Sequence, residues 1–383
     1  MKVVYYSRPF FADCDFPLMK EMQKRGIDVR YYMPIEYGFK QSSILELEKP
    51  ICKWGIHKAS KINGMDKYKD CLDLNRLFFI CGRNSKWNPC SWMLWLLVYI
   101  HILFYKTDVL HITWQLSGFE KLFFFLPFVS KKVMTVHDPL QHSGAVNAKQ
   151  QEEARKKTFK WVDNFILLNS QQVDDFATKY NISKINIFVS RLGVYDSIKY
   201  LSFQKEVSSR QYILFFGQIL PYKGIEYLLD AMLKVNLECN NVALVVVGGG
   251  KIYFDTTKYV DKDFIKIENR YVGISELAGL ISGSLFVVCP YKDATQSGVI
   301  QTAFALNIPI VATNVGALSN MVKNDIYGRI VPPCDIDSLA SVIIDLVKNQ
   351  AKLEIYKRNI REIWYPSMSW SPIVDEYISV YNL

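Results

Sequence analysis

Short apolar strands alternate with amphipathic helices twice along this chain, and one aperiodic stretch separates the two runs. KVVYYS (2–7) reads as a strand, DFPLMKEMQKRG (15–26) as a helix and DVRYYM (28–33) as the next strand. Asp15 suits the N-cap of that helix, Pro17 its first turn and Gly26 its stop. Further strands are expected at 108–113, 131–138, 161–170 and 185–190, with a helix at 171–180. No clear period runs through GVYDSIKYLSFQK (193–205), and then the alternation restarts. Strands are read at QYILFFGQ, VALVVVGGG, IKIENRYV and LFVVCPY, with helices at GIEYLLDAMLKV, ISELAGLISGS and DSLASVIIDLVKN. Strands that take turns with helices form parallel sheets covered on both faces. The expected fold is therefore α/β, with two doubly wound Rossmann-like domains facing each other across a cleft. The expected boundaries are 1–198 and 199–365. In the closing helix (366–383), Trp370, Ile373, Tyr377 and Val380 share one face, and it is expected to pack back on the first domain.

Composition narrows the function. Half of the 383 residues are hydrophobic, which excludes a disordered chain. The net charge of +9 is concentrated early, with about 29 Lys and Arg against about 19 Asp and Glu through Tyr200. A basic first half fits an anionic acceptor, an anionic membrane face or simply a solvated surface. No nucleic-acid recognition motif accompanies the charge, so nucleic acid is not an expected partner. The eight cysteines form no CxxC pair and no zinc spacing, which suits reduced thiols in a cytoplasmic protein. WMLWLLVYIHILFY (92–105) is shorter than the roughly 20 residues needed to span a bilayer. Being apolar on all sides, it is expected to be a buried helix, the alternative being a segment that dips into a membrane interface.

The residues suited to chemistry lie at strand ends. Gly217 and Gln218 leave one strand, and Lys223 and Gly224 stand where the next helix begins. A lysine beside free backbone N–H groups is a phosphate-binding arrangement. Gln296, Ser297 and Gly298 follow LFVVCPY and open a helix in the same way, with Ser297 as its expected cap. Two such loops in one half favour a diphosphate ligand. Gly248–Gly250 form a third glycine-rich exit, but no GxGxxG or GxxxxGK[ST] occurs, which argues against a dinucleotide dehydrogenase and a P-loop kinase. In TVHDPLQHSG (135–144), His137 and Asp138 end a strand and His142 follows. They are candidates for contacts on the acceptor side. The DxD strings at 13–15 and 335–337 read as helix caps and loop surface rather than as a metal site.

These segments resemble glycosyltransferase family 4, a group of retaining GT-B enzymes among the group 1 glycosyl transferases. The resemblance rests on FFGQILPYKGIEYLLDAM, VVVGGG, the run from NRYVGISEL through DATQSGVIQTAFALNIPIVATNVGALSNMV, DIYGRIVPPCDIDSLA, TVHDPLQHSG and SWSPIVDEYISVY. Together these span most of 132–383. The resemblance implies a hexosyltransferase-like transfer from a UDP- or GDP-sugar to a glycan or lipid-linked glycan in capsule or O-antigen assembly. It implies no cofactor and no metal, at the inner face of the membrane. By position, Lys223 would grip the donor diphosphate. Gly217, Gln218, Gln296, Ser297, Gly298 and Thr302 would line its phosphates and sugar. Arg270, Tyr271 and Val272 would lie near the base. His137 would face the reacting centre, with Lys223 as the other catalytic group, and Asp138 and His142 would serve the acceptor. Many members carry two glutamates where this chain has Ala294 and Thr302, and an arginine near Gln218 or Leu220. Those departures keep two alternatives open, an inactive GT-B scaffold or partner subunit and a GT-B nucleotide-sugar epimerase.

Overall fold

The computed structural model describes residues 1–82, 88–139, 148–201, 210–294 and 297–383. They form two compact units, one of Met1–Gly193 with Ser369–Leu383 and one of Val194–Met368. The division thus follows Gly193 rather than 198, and the chain returns to the first unit at Ser369 rather than 366. Local bonding explains the shift. Val194 N donates to the Met368 carbonyl at 3.0 Å, and Tyr365 Oη donates to Asp196 at 3.0 Å. Both bonds tie 194–196 to the second unit.

The first unit begins with β1 (Lys2–Tyr6), α1 (Ala12–Lys24), β2 (Asp28–Ile35), the hairpin β3 (Phe39–Ser42) and β4 (Leu45–Ile51), β5 (Gly55–Lys58) and β6 (Leu77–Cys81). It continues with α2 (Pro89–Leu103), β7 (Val109–Ile112), β8 (Lys131–Val136), α3 (Ala148–Phe159), β9 (Asn164–Leu167), α4 (Val173–Tyr180) and β10 (Ile187–Val189). The sheet order is β10-β9-β8-β7-β1-β2-β6-β5, parallel except for the edge strand β5, which runs antiparallel to β6. Strand order reverses between β1 and β7. Tyr5 and Tyr6 of β1 are fully enclosed, as their continuous apolar pattern requires.

Two expectations are corrected here. Asp15 does not cap α1, because the helix begins at Ala12 after a 3₁₀ turn and so carries Asp15 inside. Its buried carboxylate accepts from Tyr5 Oη at 2.8 Å and Tyr31 Oη at 2.7 Å. Nor is α2 buried all round. Leu94, Trp95, Val98 and Ile102 face the core, while Trp92, Met93, Leu96, Leu97 and Ile100 are exposed. A helix at the outside of a sheet buries one stripe whatever its other faces carry.

The second unit is built from β11 (Gln211–Phe216), α5 (Ile225–Glu238), β12 (Val242–Val247), β13 (Ile265–Glu268), α6 (Ile274–Gly283) and β14 (Val287–Cys289). It continues with α7 (Gly298–Ala305), β15 (Ile310–Thr313), α8 (Leu318–Val322), β16 (Gly328–Val331), α9 (Ile336–Lys348), α10 (Gln350–Asn359) and the short α11 (Tyr365–Ser367). Its six strands are all parallel, in the order β13-β12-β11-β14-β15-β16. This is the dinucleotide-fold order, and its reversal point lies between β11 and β14, where such sheets bind ligands. Asp335 caps α9 by accepting from Ser338 N at 2.9 Å.

The last helix, α12 (Trp370–Tyr381), completes the first unit through a buried aromatic and polar cluster. His111 of β7 bonds Tyr381 Oη through Nδ1 at 2.7 Å and Thr135 Oγ1 through Nε2 at 2.9 Å. Its ring stacks on Tyr5 and on Tyr377. Burial pushes its pKa down to about 3, so this imidazole is neutral. Gly193 is small because a Cβ there would lie 2.5 Å from the Trp370 ring.

Burial raises the Asp15 pKa to about 7. The folded state then holds a proton that the unfolded chain has lost between about pH 4 and 7, so this group's contribution is full below pH 4 and fades as pH rises to 7. Asp15→Asn removes that dependence. In denaturant titrations, wild type should gain about 2 kcal/mol on Asp15→Asn between pH 8 and pH 5.

Candidate functional site

Loops that leave β11 and β14 meet at the reversal point of the second sheet. After β11 the chain turns at Gly217, passes a 3₁₀ turn at Pro221–Lys223 and enters α5 through Gly224. Gly224 has φ +62°, and a Cβ on it would lie 2.1 Å from the Pro290 carbonyl oxygen. Only glycine permits that approach. Lys292 N donates to the Tyr222 carbonyl at 2.7 Å, and Lys292 Nζ pairs with Glu226 at 2.9 Å. The two exits are therefore fastened by backbone contact as well as by charge.

The fastening sets Lys223 over Tyr291. Its ammonium lies 3.8 Å from the centroid of that ring, which is buried. No carboxylate pairs with Lys223 among the described residues. Burial lowers its pKa to about 8, while the nearby Cys289 acts in the opposite direction. Cys289 is itself pushed up to about 11 by burial, so it is a neutral thiol at pH 7.

Ser297 sits at the N-cap position of α7, as the sequence suggests, but its hydroxyl makes no capping bond. This corrects the expected cap. The Ser297 Oγ and the Tyr291 Oη are both buried and lie beside each other, with the Cys289 thiol also next to Tyr291, and neither forms a well-aligned hydrogen bond. Gly298 begins the helix, and a Cβ there would meet the Tyr195 ring at 3.1 Å. Thr302 donates its hydroxyl to the Gly298 carbonyl at 2.8 Å, one turn back. Gly217 reaches the same helix, since a Cβ on it would touch Val299 at 3.7 Å. Gln218 is exposed. Gln296 lies outside the described residues.

The glycine run after β12 has a steric cause. A Cβ on Gly248 would lie 1.8 Å from the Gly217 carbonyl oxygen. Gly249 borders Arg270 and Tyr271, the expected base-side residues. Arg270 is exposed and held by Glu268 and by Glu276, the latter at 3.0 Å, so its charge is already met. Tyr271 is exposed and Val272 half-buried. Lys223, Ser297, Gly298, Gly217 and the 270–272 segment thus border one sheet edge. The sequence reading missed Tyr291 and Tyr195. Tyr291 looked like the last residue of an apolar strand, and nothing in its neighbours tells that its ring underlies a lysine.

On the first unit, His137 follows directly after β8, which ends at Val136. Its ring stacks on Phe11 with centroids 3.9 Å apart, and its Nε2 is buried without a partner. Burial lowers its pKa to about 4, against the opposing pull of Asp138, so it is a neutral imidazole near pH 7. The Asp138 carbonyl accepts from Arg155 at 2.8 Å. His142 lies outside the described residues. A separate cavity of about 820 Å³ lies at the ends of β1, β2 and β6, lined by Arg8, Glu36, Tyr37, Trp54, Asn88 and Trp95 among others. Arg8 is paired with buried Glu120 at 2.8 Å, which leaves the lining polar and aromatic, with Glu36 acidic, rather than cationic.

At neutral pH the lysine is mostly charged, and the groups facing it (Cys289, Tyr291 and Tyr222) are neutral. A diphosphate held by this ammonium should therefore bind more weakly as pH rises through about 8, where the apo ammonium loses its proton. Phosphate ionisation, with its second step at about pH 6, is complete across that window. Calorimetry at pH 7 and pH 9 checks this, and Lys223→Arg should remove most of the difference.

Residues 210–349 match the family model described as Glycosyl transferases group 1. An uncharacterised glycosyltransferase of Methanocaldococcus jannaschii is 30% identical over 178 residues, which cover 45% of this chain and 44% of that protein. The chain spans about half the length of the curated relatives it matches. Among solved structures, sucrose-phosphate synthase from Thermosynechococcus elongatus aligns with all of this chain and 98% of its own, at 16% identity and a TM-score of 0.68. HepE of Anabaena, in complex with UDP-glucose, aligns over the whole of both chains at 14% identity and a TM-score of 0.67. Residues 210–349 are thus a group 1 glycosyl transferase segment, and the chain that carries them has the GT-B fold.

Proposed function

We propose that this protein is a retaining glycosyltransferase of family 4, and that it moves a sugar from a UDP- or GDP-sugar to a glycan or lipid-linked glycan in surface polysaccharide assembly. The observation that carries the reading is the unneutralised Lys223 beside the buried hydroxyls of Tyr291 and Ser297 at the reversal point of a parallel sheet. Cation, hydroxyls and the N-terminus of α7 are what a departing diphosphate requires. The nucleotide-sugar complex of HepE supports a nucleoside diphosphate as the ligand class.

In the proposed step the bond between the anomeric carbon and the donor phosphate oxygen breaks. The acceptor oxygen bonds to the same carbon on the same face, and its proton passes to the leaving phosphate. Lys223 and the N–H groups at Ser297 and Gly298 stabilise the charge that develops there, and no metal is assigned a part. The neutral His137 and the polar, aromatic cavity suit sugar hydroxyls on the acceptor side. Incubating the protein with UDP- and GDP-sugars and following the release of nucleoside diphosphate tests the reading. Lys223→Ala should lower kcat/KM at least 100-fold, about 2.7 kcal/mol of transition-state stabilisation. Unchanged turnover would remove the role given to Lys223. If neither hydrolysis nor transfer occurs with any donor, the scaffold reading stands instead.

The setting we propose is the cytoplasmic, anionic face of a membrane. No helix among the described residues is long and apolar enough to cross one. Yet α2 exposes Trp92, Leu96 and Ile100, followed by Phe104, and the 3₁₀ segment Gly118–Phe125 exposes Leu122 and Phe125. Trp92 packs on Phe119, and Phe125 on the half-exposed Trp161, so these form one apolar surface. Lys106, Lys121 and Lys160 lie beside it in sequence. Aromatic rings with flanking lysines suit an anionic interface. The protein should sediment with phosphatidylglycerol-containing vesicles and less with pure phosphatidylcholine. Leu96→Glu with Phe125→Glu should abolish sedimentation.

A further inference from the structure

Lys223 is held in an unusual way for a surface-loop cation. Arg270 and Lys292, two other cations near these strand exits, each have carboxylate partners. Lys223 instead has the face of Tyr291 at 3.8 Å, with the more distant Tyr222 ring at 5.2 Å. Tyr291 is fixed from several sides. Its carbonyl accepts from Thr313 Oγ1 at 2.6 Å, its ring meets Tyr222 edge-on, and Lys292 ties the following residue to the Tyr222 carbonyl. Its buried hydroxyl lies beside the Ser297 hydroxyl and the Cys289 thiol, forms no well-aligned hydrogen bond with either and has no charged partner.

A ring attracts an ammonium without neutralising it. A carboxylate in its place would compete with the donor diphosphate, and its bond would have to break for each donor bound. We propose that Tyr291 is the positioning residue of this donor site, whose ring holds the Lys223 ammonium in place for a nucleoside diphosphate and whose hydroxyl, with that of Ser297, is kept for the donor. The need is greatest in a chain with Gln218 and Leu220 where an arginine would add a second cation. The ligand assignment rests on the glycosyltransferase reading above, but the state of Lys223 can be followed with no ligand present.

The groups that face Lys223 are Cys289 on β14, Tyr291 after it, and Tyr222 on its own turn. Glu226 on α5 is bonded to Lys292 and Tyr253. Two opposite effects of the ring can be separated. Attraction by the ring favours the charged lysine, whereas its bulk favours the neutral one by excluding water. Replacing the ring by an aliphatic group of similar reach removes the first effect and keeps the second.

The experiment is carbon-13 reductive methylation of the full chain, with the Lys223 signal assigned by its loss in Lys223→Arg and titrated by NMR. Tyr291→Leu should move its midpoint down by about half to one pH unit. Tyr291→Met is the alternative if the leucine variant is unstable. Tyr291→Phe, which keeps the ring, should leave the midpoint in place but weaken UDP or GDP binding about three- to tenfold, through the lost hydroxyl. Tyr222→Leu, which removes the more distant ring, should lower the midpoint less than Tyr291→Leu does. A midpoint that stays or rises in Tyr291→Leu and Tyr291→Met would overturn the proposal, because the ring would then be only a wall. A normal titration response with no binding of UDP or GDP to wild type would count against the donor reading and the hydroxyl's role alone.

Discussion

A parallel sheet sends every strand out at the same edge, and the order of its strands decides where that edge opens. In the second unit β11 and β14 are neighbours, although α5, β12, β13 and α6 separate them in the chain, so the loops that follow them diverge into crossovers on opposite sides. Everything at the candidate site depends on that divergence. Gly224 can press on the Pro290 carbonyl, Lys223 can lie on Tyr291, and α7 can point its N-terminus outward, only because no crossover covers the gap. The glycines that look like a signature are there for the same reason. Gly248 lets one exit loop lie against another at a distance no side chain would allow.

Much of this was legible in the sequence. The double alternation gave both sheets, the aperiodic stretch marked the first crossing between units to within a few residues, and the 3-4-3 spacing of Trp370, Ile373, Tyr377 and Val380 marked a buried face. Lys223 and Gly298 could be placed because strand ends and helix starts are local events. What could not be read is what those residues touch. Ser297 has the sequence of a cap, but its hydroxyl turns elsewhere, and a one-dimensional pattern does not encode that choice. Asp15 fits an N-cap rule as well, yet two tyrosines from neighbouring strands claim its carboxylate, and both are distant from it in sequence. The apolar run at 92–105 misled for another reason. Hydrophobicity reports what a helix can bury, and the fold buries only one side of α2.

The charge pattern also has a physical logic. Cations are plentiful in this chain, and Arg270 and Lys292 near the second unit's strand ends are matched with acids, whereas Lys223 has no carboxylate partner among the described residues. An unmatched ammonium that is partly desolvated carries a cost, visible as its lowered pKa. A cation–π contact returns roughly 0.5–2 kcal/mol of it while leaving the charge available. The same economy appears on the first unit with the opposite outcome, where Arg8 is cancelled by Glu120 and the neighbouring cavity is left to polar and aromatic groups and the acid Glu36.

The closing helix has a consequence for how the molecule is made. Trp370, Tyr377 and Tyr381 fill a core whose other walls are β1, β7 and β8, yet they are synthesised after the entire second unit. During translation the second unit emerges whole, with all six of its strands, and can fold on schedule. The first unit must wait with His111 and Tyr5 uncovered until α12 leaves the ribosome. Its assembly therefore finishes after the second unit has been made, although its strands precede that unit in the chain.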